Sequence, residues 1–500
     1  MRESPDESPV VARADETGAA GHAWLHAMVE QQRAAFLSQP LPSAAERRAW
    51  LSALERALLS EETALCAAIS MDFGHRPAAE TRLLELFPSL ASLRHGRRRL
   101  AGWMKPERRP VSFWLRPGRA TVTYQPLGVV GIIVPWNYPL YLAVGPLVAA
   151  LAAGNRALLK LSEHTPAFGR LFASLIAATF PSDLVQVVTG DATVGRAFTT
   201  LPFDHLLFTG SGAVARDVMA SAARRLTPVT LELGGKSPAI IAPEFDLATA
   251  ARRIAFGKLV NAGQTCIAPD YVLAPSAALP ALVAALRDAA RSMYGTAASP
   301  DYASIVNDHH FGRLTELLED AKAHGAHVEA LLAAPSSALP RRMPPMAVLG
   351  ATPRMRILRE EIFGPILPLV PYESLDEVIA YVNARARPLA MYVFDDDVRR
   401  REALLARTAS GGVTINDTLL HVTQDDLPFG GVGESGMGRY HGVDGFRTFS
   451  QVRSVYRRSR FALTATMYPP YGGSLQNRIL ALMLRSGVRR RGASITNAAP

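Results

Sequence analysis

The chain has 500 residues, 48% of them hydrophobic and 20% charged, with a formal net charge of +10. That length exceeds one ordinary core and calls for two domains or more, and the composition excludes a disordered chain. The positive charge does not mark a nucleic-acid surface. Only five basic residues are lysine (105, 160, 236, 258 and 322), and the arginines are scattered, often beside acids on helical stretches such as 46–56.

Residues 1–21 carry acids and prolines and lack a basic stretch followed by an apolar one. They fit neither a secretory nor a mitochondrial signal, so the expectation is a disordered tail on a cytoplasmic protein. Residues 22–99 read as almost wholly helical, with Cys66 inside an apolar helix over 58–69. Residues 111–124 look like an extended excursion. From Leu127 to Gly154 no residue is charged, but Pro135, Asn137, Pro139 and Pro146 break what could otherwise span a membrane. The spacing predicts a buried strand over 129–134, a turn over 135–139 and a buried helix ending at Gly154-Asn155.

Strands over 157–161, 184–188, 205–208 and 229–233 then alternate with helices over 167–180 and 214–225. After Gly234 the alternation resumes. Strands are predicted over 239–241, 271–274, 366–370, 390–394 and 412–415, and helices over 247–261, 279–293, 311–324, 374–384 and 398–408. This is an α/β pattern, two parallel-sheet domains with helices on both faces. Residues 448–457 form a second extended piece that could pair with 111–124 and offer an edge to another subunit. Near the end, Leu475, Ile479, Leu482 and Met483 recur at helical spacing before Arg485, Arg489, Arg490 and Arg491. A helix docked on a neighbouring subunit or a frayed tail is expected there, with weak peripheral contact to an anionic membrane as the alternative.

Several short blocks carry chemistry. Two cysteines exclude a disulfide framework and leave thiols free. Cys66 reads as a small buried hydrophobe. Cys266 follows Gly263-Gln264-Thr265, as a nucleophile offered from a turn would. Glu232 lies 34 positions upstream, between Leu231 and Leu233 and before Gly234-Gly235-Lys236. Those neighbours predict burial, which raises a carboxylate toward the range of a general base. A thiol can attack while a carboxylate later activates water. Pro135-Trp136-Asn137-Tyr138-Pro139 stands beyond the carboxyl end of a strand, where open α/β sheets bind ligands. Lys160-Leu161-Ser162-Glu163 ends the next strand. Phe208-Thr209-Gly210-Ser211-Gly212 ends another and opens a helix suited to pyrophosphate, although the three-glycine dinucleotide fingerprint is missing. Glu361-Ile362-Phe363-Gly364-Pro365 and the glycine-rich 427–438 complete the set. His421 reads as structural, and nothing calls for a metal.

Taken in order over roughly residues 40–460, these blocks resemble the aldehyde dehydrogenase superfamily. Trp136-Asn137-Tyr138-Pro139, Leu226-Thr227-Pro228-Val229-Thr230 and Tyr468-Pro469-Pro470-Tyr471 look like its class 3 branch, most like the bacterial coniferyl aldehyde dehydrogenases. The resemblance implies a Rossmann-like cofactor domain (22–109 and 125–233), a catalytic domain (234–447), bridging and oligomerisation strands (110–124 and 448–457), a tail over 458–500, and a homodimer. It implies Cys266 as nucleophile, Glu232 as the base for deacylation, and Asn137 with the Cys266 amide as oxyanion donors. It places Trp136, Lys160, Glu163, Gly210, Ser211, Gly212, Ala215, Glu361 and Phe363 along the cofactor. Ala215 stands where the family usually has glycine. Glu163 would bind both ribose hydroxyls and repel a 2′-phosphate, while Lys160 would favour one, so NAD is expected and NADP stays open. The implied substrate is an aromatic, coniferyl-type aldehyde or a medium to long aliphatic one. A CoA-acylating relative and a non-catalytic cofactor-binding protein are the alternatives, and retention of Glu232, Cys266 and Asn137 argues against both.

Overall fold

A computed structural model describes residues 22–333, 340–461 and 466–488. The tail expected over 1–21 and the arginines 489–491 lie outside the described residues. The chain divides into two compact units, one from residues up to Trp103 with Pro126–Ser450, the other from Met104–Gln125 with Gln451 onward.

The larger unit holds two sheets. The first has six strands in the order Gly436–Met437, Val229–Glu232, His205–Thr209, Val129–Ile133, Arg156–Lys160 and Val185–Val188. All neighbours are parallel except the short first strand, which runs against Val229–Glu232 and sets Gly436 opposite Glu232. The second has seven strands, His327–Ala330, Met346–Leu349, Ile366–Tyr372, Tyr271–Pro275, Pro238–Ile241, Ala390–Phe394 and Gly412–Ile415. Only its first pairing is antiparallel. The smaller unit has a three-stranded sheet, with Arg119–Pro126 between Glu107–Arg109 and Ser450–Arg457.

The charge-free segment turns where Pro135 and Pro139 predict, whereas Pro146, expected to break it, lies inside a helix. After the strand Val129–Ile133 comes a turn, then the helix Tyr141–Ala153, in which every residue is buried. Gly154 ends it at φ 94°, and a Cβ there would lie 2.6 Å from the Arg47 guanidinium. Arg47 needs that space, because it donates to the terminal carbonyls of Ala152 and Ala153 at 3.0 and 2.8 Å. Among the described residues no helix is long and apolar enough to cross a membrane. The terminal helix Ser474–Val488 leaves Leu475, Leu480, Leu482 and Leu484 exposed.

Three expectations need correction. The apolar run 58–69 is not one helix: Ala44–Ser60 stops and Glu62–Phe73 starts again, with Cys66 buried in the second. The helix predicted over 247–261 ends at Leu259, because Asn261 and Ala262 turn left-handed at φ 51° and 50°. The excursion 111–124 begins with a single helical turn, Phe113–Leu115, before its strand. The helix Ala192–Thr199 and the strands His327–Ala330 and Met346–Leu349 have no strong sequence signal.

Candidate active site

Cys266 is delivered by a reversal of the chain. Asn261, Ala262 and Gly263 are all left-handed, and a Cβ on Gly263 would collide with the Gly364 carbonyl oxygen. Only glycine tolerates both constraints. The following Gln264 is fully buried and uses both ends of its amide. It donates to the carbonyls of Asn261 and Ser304 at 2.8 and 3.1 Å and accepts from the Val306 N–H at 2.9 Å. With Gln264 held, Cys266 follows half-buried at the end of the turn.

The turn carrying Asn137 is bonded directly to that loop. Asn137 Nδ2 donates to the Gln264 carbonyl at 3.1 Å, and the Asn137 carbonyl accepts from Asn261 Nδ2 at 2.9 Å. The Tyr138 and Thr265 hydroxyls bond to each other at 2.7 Å. An amide nitrogen carries two hydrogens, so Asn137 keeps one for another acceptor.

Glu232 ends its strand 2% exposed, and neither carboxylate oxygen has a hydrogen-bond partner among the described residues. Burial pushes this carboxyl well above its ordinary range. The Cys266 thiol is pushed up to about 12, first by burial and then by the Glu361 and Glu232 carboxylates, which both act on the sulfur. A buried acceptor without a donor is costly, and such a group marks a site where something else is bound or moved.

The cofactor candidates lie along the first sheet and the 361–363 turn. Lys160 Nζ donates to the carbonyls of Leu161 and Gly190 at 2.7 and 2.9 Å and lies 3.9 Å from the Glu163 carboxylate. Burial lowers the pKa of this ammonium, while Glu163 and Asp191 oppose the shift. Gly210 is required by packing, since a Cβ would sit 2.5 Å from the Phe208 ring. Ser211 caps the helix Gly212–Ala223 by accepting from the Val214 N–H at 3.4 Å. A Cβ on Gly212 would meet nothing within 4 Å, so space stands open at the amide end of this helix, as a pyrophosphate needs. Ala215 is 2% exposed and packs with Val218 and Leu231.

Trp136 and Phe363 meet edge to face at 5.4 Å, and His310 lies 4.8 Å from the indole. Glu361 sits under Gly234, where a Cβ would collide with its carboxylate. Loss of hydration and the Asp270 charge push this carboxyl up to about 8. The short ion pair of Lys236 with Asp270 braces the turn: Lys236 also donates to the Ile357 and Glu360 carbonyls, and Asp270 accepts from the Ile362 N–H at 2.9 Å. His421 bonds to Thr414 Oγ1 at 2.9 Å and stacks on Phe429.

The sequence profile of the aldehyde dehydrogenase family matches residues 4–455. The chain belongs to the aldehyde dehydrogenase family. It is thus an oxidoreductase acting on aldehydes, in a family that uses NAD(P). A "Probable coniferyl aldehyde dehydrogenase" of Pseudomonas aeruginosa is 51% identical over 92% of this chain and 96% of its own. The "Aldehyde dehydrogenase, dimeric NADP-preferring" of Rattus norvegicus is 39% identical over 88% of this chain and 97% of its own. A solved structure of the substrate-bound state of Staphylococcus aureus AldH superposes with a TM-score of 0.86 at 37% identity, covering 92% of this chain and 99% of that one.

Three contributors carry no sequence signal. Gln264, Asn261 and the buried Arg76 are polar residues whose partners come from distant segments, which no local pattern displays. Cys66 stays a packing residue in the structure, with its thiol raised by burial. Cys66→Ser is therefore expected to leave turnover unchanged and lower stability by about 1 kcal/mol, which steady-state rates and thermal unfolding would check.

Proposed function

We propose that this aldehyde dehydrogenase oxidises its substrate to the carboxylic acid through a covalent thiohemiacetal and thioester on Cys266. One observation carries the reading. A buried carboxylate with no hydrogen-bond partner among the described residues acts on the thiol, while the Asn137 amide is bonded into the same loop with a hydrogen to spare. Cys266 gives its proton to solvent water, Sγ bonds to the aldehyde carbon, and the carbonyl π electrons move to the oxygen, which becomes an oxyanion. Asn137 Nδ2 and the Cys266 backbone N–H donate to that oxygen. Bound NAD(P) would supply the acceptor for the hydride that leaves this carbon. Glu232 then takes a proton from water, which attacks the thioester, and the acid departs as the thiol re-forms.

The residues fit that cofactor: open space at the amide end of the 212–223 helix, Lys160 with Glu163 at a strand end, and Glu361 with Phe363 beside Trp136. Glu163 favours NAD, since a carboxylate hydrogen-bonds ribose hydroxyls and repels a 2′-phosphate. NADP remains the second reading, supported by the name of the rat relative. An aromatic coniferyl-type aldehyde is the first choice of substrate, supported by the Pseudomonas relative, with longer aliphatic aldehydes second. A homodimer fits the rat relative's name, and a reducing cytoplasm fits two free cysteines.

A kinetic screen of aliphatic against cinnamyl-type aldehydes, each with NAD and NADP, tests these choices. The expected result is the highest kcat/KM for the cinnamyl aldehyde with NAD. A preference for aliphatic chains, or for NADP by tenfold or more, on the order of 1.4 kcal/mol, would reverse the corresponding assignment.

A further inference from the structure

Arg76 is the largest fully buried side chain of the described residues, and the mechanism above does not use it. Its guanidinium bridges two acids of the next helical turns: Nη1 bonds Glu85 Oε1 at 2.5 Å, and Nε bonds Glu80 Oε1 at 3.3 Å. The Arg76 and Glu85 side chains are 0% exposed and Glu80 is 9% exposed. A buried ion cluster of this kind rarely gains net stability over apolar packing, so its partners matter more than its energy.

Those partners are the two catalytic turns. Arg76 Nη1 also donates to the Asn137 carbonyl at 3.3 Å, and the guanidinium lies over the Tyr138 ring, 4.8 Å from its centroid. Glu85 Oε2 accepts from the Leu140 and Tyr141 N–H groups at 2.7 and 3.1 Å, fixing the exit from the Asn137 turn. Glu80 Oε1 accepts from the Asn261 N–H at 2.9 Å, fixing the left-handed reversal that leads to Cys266. Each acid grips one turn, and Arg76 joins the grips.

We propose that Arg76, Glu80 and Glu85 form a positioning unit that sets the Asn137 amide against the Cys266 loop, and so governs formation of the oxyanion. The unit acts through the two turns that it grips. It rests on the cysteine mechanism proposed above and assigns to it three residues whose only route to the reaction is through backbone geometry. Misplacing a reacting group by about 1 Å can cost on the order of 100-fold in rate.

The test uses the full chain. Arg76→Lys keeps the charge but cannot reach two acids and a carbonyl at once. It should slow the NADH burst on the order of 100-fold, while aldehyde KM and NAD affinity by fluorescence titration stay within about threefold, because the lost interaction acts in the transition state alone. A folded variant with an unchanged burst, or with its loss confined to KM or NAD affinity, overturns the proposal. Should Arg76→Lys fail to fold, Glu80→Gln and Glu80→Ala decide. Gln keeps an oxygen for the Asn261 N–H and should retain the burst rate, and Ala should not. Equal burst rates in the two overturn the proposal. A wild-type chain that forms no NADH with any aldehyde would remove the cysteine mechanism itself, whereas an active chain indifferent to these substitutions removes the positioning unit alone.

Discussion

Cys266→Ser is expected to abolish aldehyde oxidation, lowering kcat by on the order of 10⁴-fold or more, while NAD affinity stays near that of the wild type. The hydroxyl is a far weaker nucleophile than the thiol, because it is almost wholly protonated at neutral pH. The substitution is nearly isosteric, the Gln264 and Asn261 hydrogen bonds that shape the loop are untouched, and no cofactor candidate lies on it. The wild-type thiol also predicts a pH dependence. Burial and the nearby carboxylates push it up to about 12, so thiolate is scarce at pH 7 and grows about tenfold per pH unit. In the cofactor-free enzyme, alkylation of Cys266 by iodoacetamide should accelerate accordingly between pH 7 and 10, followed by mass spectrometry of the Cys266 peptide. Unchanged turnover in Cys266→Ser would end the covalent mechanism. A rate that levels off near pH 9 would show that the thiol titrates at its ordinary value of 9.0 and is not raised by burial and the carboxylates.

How much of this is legible in the sequence depends on the range over which each feature is encoded. Prolines and glycines are local signals, so the turn at 135–139, the end of the helix at Gly154 and the strands on either side can be placed from the residues alone. Cys266 and Glu232 stand out for the same reason, as a thiol after a glycine turn and an acid between two leucines. The left-handed run Asn261-Ala262-Gly263 reads as the end of a helix because only its last residue advertises positive φ; tertiary contacts hold the other two. Arg76 is invisible for a stronger reason. An arginine four and nine residues before two glutamates reads as a solvated helix face, and here burial reverses that reading by bringing the Asn137 backbone, 61 positions away, to Arg76 and the Asn261 backbone, 181 positions away, to Glu80. The edge strand at 327–330 carries too few apolar residues to be seen, and the four apolar residues at 346–349 follow Pro344-Pro345 in a run too short to tell from a loop.

Glu232→Gln is expected to separate the two halves of the reaction. If Glu232 serves only to activate water, acylation proceeds and deacylation stalls. Rapid mixing should then show one equivalent of NADH per active site, followed by a steady rate lower by about 10²–10⁴-fold, the range of a lost general base. Equal slowing of burst and steady state would instead mean that Glu232 also takes the Cys266 proton. The same substitution should stabilise the fold. Glu232 is raised well above its ordinary value by burial, so the folded protein binds its proton more tightly than the unfolded chain does. Between the ordinary carboxyl pKa of 4.5 and the folded value, unfolding releases that proton, and this group's contribution to stability falls as pH rises. A neutral amide lacks the liability. The melting temperature of Glu232→Gln should therefore match the wild type near pH 4 and exceed it increasingly at higher pH, up to the folded pKa. Calorimetry at a series of pH values reads the difference directly, and a variant that is less stable at pH 8 would mean that the carboxylate has a partner in the folded protein that the structure does not place beside it.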